Sequence, residues 1–347
     1  MPRLGFFTRL LDPADPTARY RHALEQIGHA ERLGFDSAWV AQHHFDGNEG
    51  GLPSPFLLLA QAGARTTRIR LGTGIVTLPL ESPVRVAEDA AVLDRLCDGR
   101  LEVGLGTGGN PAAFAAFGAR ADERHELLDR HDGILRAAWA GQPLPGGNRL
   151  YPPAPDLLGR IWIATFSAAG ARRAGWHGDG LMLSRTQPRD PALAASPLAA
   201  LQIPLIDAYL AALPSDAAPR ILASRTVFVA DDRGEALRHA EAGLRRAVGR
   251  SPSFGAAIDP TADLADLLAA TDSHIGTADE VIRSLQSDRT LDRVTDLVVQ
   301  VHPIDPPHRD VLRSIELVAT RVAPALGWSR DIRIDGKRRS AQPLEHS

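Results

Sequence analysis

Apolar residues along this chain switch between two spacings. Leu4 to Phe7 is a short apolar run that reads as a strand. Asp15-Pro16 then offers a helix cap followed by proline, and Ala23, Leu24, Ile27, Ala30 and Leu33 recur at helical spacing before Gly34 closes the helix. Ser37 to Ala41 predicts a second strand, and Ser54-Pro55 opens a second helix. Ile69 to Leu78 predicts a third strand, followed by a helix from Ser82-Pro83 with Val86, Ala90, Leu93 and Leu96 on one face. Arg100 to Leu105 predicts a fourth strand, and Asn110-Pro111 opens the next helix. The same punctuation returns roughly every 30 residues, the length of one strand–helix unit.

The second half is less regular. The segment 141–155 is rich in proline and glycine and reads as a connection. Ile161 to Thr165 and Leu181 to Ser184 predict strands five and six. Residues 187–219 form an insertion around one helix, placed at about Pro204 to Leu213. Arg220 to Val229 predicts strand seven, followed by a helix from Glu235 to Val248. Residues 249–273 show no clear strand, and their polar start fits a lid. Gly276 to Leu285 starts another helix, Leu297 to Val301 predicts strand eight, and His308 to Leu326 the final helix. Eight strands alternating with helices predict a parallel α/β architecture. The expected form is a (β/α)8 TIM barrel with insertions after strands six and seven, an open doubly wound sheet being the alternative. One domain over 1–329 and a flexible tail over 330–347 are expected.

Composition excludes several functions. The chain has 347 residues, 44% hydrophobic and 23% charged, with a net charge of −3, so nothing points to nucleic acid. Lys337 is the only lysine, which disfavours Schiff-base chemistry, and Cys97 is the only cysteine, which rules out an internal disulfide. No apolar run reaches the roughly 20 residues that span a bilayer, and the N-terminus lacks a signal-peptide pattern, so a cytoplasmic protein is expected.

The candidate chemistry gathers at strand ends. Trp39-Val40 runs into His43-His44 and then a loop, Asp46 to Gly51, with three glycines. Adjacent side chains on a strand face opposite ways, so at most one of the two histidines faces a central pocket. Metal binding is disfavoured, because the pair is not spaced for it and no carboxylate cluster accompanies it. Gly104 to Gly109 fits G-x-G-x-x-G, but in the fourth unit rather than the first. The better reading is a strand end where small residues admit a flat ligand. Thr165 to Gly170 leads into a helix whose free N–H groups suit a phosphate, an ordinary helix cap being the alternative. Gly72 and Gly74 interrupt an apolar strand, marking a bulge or a close backbone approach. Trp139, Trp162 and Trp176 read as core.

As a set, these residues resemble the bacterial luciferase-like family of flavin-dependent monooxygenases. The resemblance rests on Trp39 to Phe45, Gly72 to Pro79, Ser82-Pro83-Val84-Arg85-Val86-Ala87-Glu88-Asp89, Leu93-Asp94, Gly99-Arg100 and Gly104-Leu105-Gly106. It implies a barrel that holds reduced FMN at the carboxyl ends of its strands. His43 would be the catalytic histidine. Ser167, Ala168 and Ala169 would hold the phosphate with Ser184 near it. Gly74 and Ile75 would form the strand-three bulge, where a non-proline cis peptide is often found, and Gly104 and Gly106 would line the ring's edge. It further implies a separate flavin reductase, dioxygen, a small organic substrate such as an aldehyde, ketone or sulfonate, no resident metal, and a homodimer. Relatives in the same barrel use a deazaflavin without oxygen, and some bind flavin without catalysis. This chain departs from the family in two places. Gln42 stands where the family usually has Glu, and Gly104-Leu105 replace the Cys and Arg of bacterial luciferase, which argues against light emission.

Overall fold

A computed structural model describes residues 2–189, 196–248, 259 and 261–328. Its strands are β1 (Arg3–Thr8), β2 (Ser37–Val40), β3 (Arg70–Thr77), β4 (Leu101–Gly106), β5 (Ile161–Ala164), β6 (Gly180–Leu183), β7 (Ile221–Val229), β8 (Ser273–Gly276) and β9 (Asp296–Gln300). Neighbours from β1 to β7 pair in order and in parallel, β7 pairs with β9, and β9 returns to β1. The ring is a closed eight-stranded parallel barrel, as the strand count predicts. β8 lies outside it, hydrogen-bonded to the far half of β7 from Thr226↔Ser273 to Val229↔Gly276.

The helices start where the punctuation places them. Pro16–Arg32, Pro55–Gly63 and Pro83–Leu96 each begin with proline, whose missing N–H costs nothing at a helix start. The Asp15 carboxylate accepts the Ala18 N–H at 3.0 Å. The Gly99-Arg100 pair is structural: the buried Arg100 guanidinium donates to Gly63 O, Thr66 O, Thr66 Oγ1 and Ile69 O at 2.9–3.1 Å, tying one helix end to the entry of β3.

Inside the ring, Trp39, Trp162, Met182, Leu222 and Val298 fill the barrel. The two indoles meet edge-on, centroids 5.7 Å apart at 86°, an arrangement worth about 0.5–1.5 kcal/mol beyond area burial. Each lies on a glycine: a Cβ on Gly72 would sit 2.2 Å from the Trp39 ring, and one on Gly180 2.2 Å from Trp162.

Several expectations need correction. The helix beyond Asn110-Pro111 is only Pro111–Ala116; the crossover to β5 is carried by Arg124–Trp139. In the first insertion the helix is Leu198–Ala212, with Pro204 inside it rather than at its start. The supposed strandless lid ends in a helix, Leu264–Ala270, and β8, with Leu267 packed beside Phe228, Ala240 and Leu244. The rest of that segment from 249 to 258, part of the first insertion and the 330–347 tail lie outside the described residues. Trp139 and Trp162 are core, but Trp176 is 67% exposed. No helix among the described residues is long and apolar enough to cross a membrane.

Candidate active site at the barrel mouth

All ring strands run the same way, so their carboxyl ends form one mouth. Directly above the barrel filling, Phe7 of β1, Ile75 of β3 and Ala164 of β5 remain only partly buried. They make an apolar floor for a flat molecule. Phe7 lies on Gly74, where a Cβ would sit 2.5 Å from the ring. The Gly74–Ile75 peptide is cis, and the β3–β4 register shifts between Thr73 and Val76, so Ile75 stands at a bulge.

The two glycines of β4 differ. A Cβ on Gly104 would sit 2.2 Å from Thr73 O and 2.9 Å from Met182 Sδ. Gly104 is therefore buried under the bulge and serves packing. Gly106 is one layer higher, its Cβ position 3.1 Å from Ile75 and 3.7 Å from Ala164, level with the floor.

His43 and His44 follow β2 and diverge. The His43 N–H donates to Leu52 O at 2.9 Å, and the ring sits where a Cβ on Gly50 would strike it. Its ring nitrogens have no hydrogen-bond partner among the described residues. Burial, then the cationic Arg9 and the neighbouring His302 and His44, hold its pKa well below the usual histidine range. His44 turns toward β3 and β4. It meets Phe117 edge-on at 4.8 Å, its Nε2 is buried without a partner, and burial lowers its pKa against the pull of Glu81. Phe45 and Phe117 are exposed beside it and form an aromatic rim.

Gln42 does not leave the region without a carboxylate. Its amide reaches Glu81, which brings one from the loop after β3.

At the β5 turn, Ser167 caps the helix Ala168–Trp176, and its Oγ accepts the Gly170 N–H at 3.1 Å. It acts as the ordinary cap, while the Ala168 and Ala169 N–H groups take no acceptor among the described residues and point to a partly exposed turn. Ser184, after β6, bonds Thr186 at 3.1 Å. Gln187 donates to Phe166 O at 3.1 Å and leaves its buried Oε1 unpartnered. Arg173 is engaged by Asp129, and Arg185 is buried within electrostatic reach of Arg9 and Asp305.

Sequence reasoning missed the groups around β1 and β9. Arg9, after β1, donates to Glu49 O at 2.5 and 3.0 Å. His302, two residues past β9, bonds Asp305 at 2.8 Å. A histidine directly after a barrel strand is the signal that would have found it. The set offers an apolar floor, a helix end with open N–H groups and an unpartnered imidazole after β2; a phosphorylated flavin held here would have Phe7, Ile75 and Ala164 for its ring and Ala168 and Ala169 for its phosphate.

The sequence family described as luciferase-like monooxygenase matches residues 4–296. The 4-hydroxyprotoasukamycin monooxygenase of Streptomyces nodosus subsp. asukaensis is 30% identical over 95% of this chain and 94% of its own length. The F420-dependent hydroxymycolic acid dehydrogenase of Mycobacterium tuberculosis is 33% identical over 48% of this chain and 50% of its own. The chain spans about half the length of several other curated relatives. Among solved structures, the monooxygenase RslO1 of Streptomyces bottropensis superimposes with a TM-score of 0.76 at 26% identity, covering 93% of this chain and 99% of that one.

Proposed function

Because the chain belongs to the luciferase-like monooxygenase family, we propose that it is a two-component, FMN-dependent monooxygenase acting on a small organic substrate. A separate reductase delivers the reduced cofactor. The observation that carries the reading is the floor of Phe7, Ile75 and Ala164, with a helix end on the β5 side and His43 on the β2 side. Reduced FMN supplies the electrons that activate dioxygen. The chain's own residues do the rest. The open N–H groups of Ala168 and Ala169 hold the phosphate through the helix dipole, and Ser184 adds a hydroxyl. His43 is neutral at working pH, so its free ring nitrogen can accept a proton or a hydrogen bond at the reacting edge. Phe45 and Phe117 cover His44 at the rim and limit water there.

The exposed Leu57, Val92 and Leu96, on the helices Pro55–Gly63 and Pro83–Leu96, support a homodimer, which sedimentation tests. The similarity to an F420-dependent dehydrogenase favours hydride transfer without oxygen as the second reading. Anaerobic titration with photoreduced FMN and with reduced F420, followed by air, separates the two. Tight binding of reduced FMN with oxygen consumed in turnover supports the monooxygenase. Selective F420 binding and oxygen-independent turnover replace it.

A further inference from the structure

His302 and Asp305 form a built pair at the β9 end of the mouth. The chain turns tightly after β9, Ile304 N–H donating to Val301 O at 2.8 Å. Asp305 takes a left-handed backbone, φ +47°, a conformation aspartate tolerates better than most side chains. That turn brings its carboxyl back onto His302 Nδ1 at 2.8 Å. Thr226 of β7 donates its hydroxyl to His302 O at 2.8 Å and fixes the main chain. Both side chains are nearly buried, 13% and 11% exposed. Nε2 of His302 has no hydrogen-bond partner among the described residues. The narrow cleft beside the pair is lined by Phe7, Thr8 and Arg9 of β1 and its following loop and, on the helix side, by Asp12, Gln26 and Val311. β1 pairs with both β2 and β9, so Arg9 leaves the barrel between the two strands that lead to His43 and His302.

We propose that His302, oriented by Asp305, is the base that binds and deprotonates a phenolic or enolic hydroxyl of the substrate, with the Arg9 guanidinium stabilising the resulting oxyanion. This deepens the monooxygenase reading and rests on it. The substrate O–H bond breaks, its proton passes to His302 Nε2, and the electron pair stays on oxygen; nothing is oxidised in this step. An electron-rich phenolate or enolate is the form that an electrophilic oxygen transfer requires.

The surrounding charges disfavour an imidazolium and favour an anion, so the transfer is driven by the oxyanion's contact with Arg9 rather than by the basicity of His302. Burial, then Arg9, Arg185 and Arg246, keep His302 well below the ordinary histidine range, so it is a neutral acceptor. Burial pushes Asp305 up to about 7 against the opposing pull of Arg9, Arg246, Arg185 and Arg19. Below that value a protonated Asp305 donates to Nδ1, the ring hydrogen sits on Nε2, and the base is lost. Above it the carboxylate accepts Nδ1–H and leaves Nε2 free.

The test uses 4-nitrophenol, whose anion is coloured, and 4-nitroanisole, which has no proton to lose, added to the intact protein with and without reduced FMN. Wild type is expected to bind the phenol as its anion, with a bound anionic fraction above that of the free phenol at the same pH. His302→Gln and Asp305→Asn are expected to weaken that binding by about tenfold while 4-nitroanisole binding is kept. Equal phenol affinity and colour in wild type and His302→Gln overturn the proposal. So does a wild type that binds 4-nitrophenol and 4-nitroanisole alike. Absence of reduced-FMN binding with the phenol result intact removes the flavin reading and leaves the base in place.

Discussion

Gln42 Nε2 donates to Glu81 Oε1 at 2.7 Å, while its own Oε1 accepts the Thr77 N–H at 2.7 Å. One amide thus joins the end of β2 to the end of β3, and only a group with both a donor and an acceptor does so. Gln42→Glu sets two carboxylates against each other and raises one pKa. A raised carboxyl costs stability at every pH above its unfolded value, and the cost vanishes when acid protonates it. We expect a loss of about 1–3 kcal/mol at pH 8 that shrinks toward pH 4, read as melting temperature against pH.

His43→Ala should lower turnover by about 10²- to 10⁴-fold and leave reduced-FMN affinity nearly unchanged. Because its pKa is held low, the wild-type rate should not fall near pH 6.5 on account of this residue. Stopped-flow turnover against pH checks both points, and lost cofactor binding in the variant would count against a catalytic role.

Ser167→Ala removes a helix cap, at a cost of about 1 kcal/mol. It should also narrow the preference for FMN over riboflavin, since the frayed helix end holds the phosphate less well. Comparing the two dissociation constants isolates the phosphate, and an unchanged ratio would place it elsewhere.

Gly104→Ala has no room, because its nearest neighbours are the backbone oxygen of Thr73 and the Met182 sulfur. We expect about 1–3 kcal/mol of destabilisation from overpacking. Gly109→Ala, with nothing within 4 Å, should be close to neutral. Denaturant midpoints compare the two, and equal values would mean that the bulge yields.

The sequence made the barrel legible because each early strand is short, apolar and followed by an aspartate, serine or asparagine and a proline. It hid Arg124–Trp139 because that helix buries a narrow stripe, chiefly Leu128, Leu135, Ala138 and Trp139, among many charges. It hid β8 because Ser273–Gly276 has only Ile275 as a strong strand former and joins one edge. Pro204 misled because proline at a helix start is the commoner pattern. In the mouth, His43 announced itself by its place after an apolar strand, whereas Asp305 reaches His302 through a backbone turn that residue identity alone does not dictate.

The ring is sealed between β1 and β9, where the Arg3 guanidinium meets Asp296, 293 residues further along the chain. Bringing such distant segments together is entropically costly, and the pairing repays it only on contact. Phe7 and Arg9 stand on one lip of that seam and His302 on the other. The mouth therefore does not exist in any partly folded chain that lacks the last ring strand. A ligand spanning the seam acts as a clasp: it binds only the completed ring and slows its reopening.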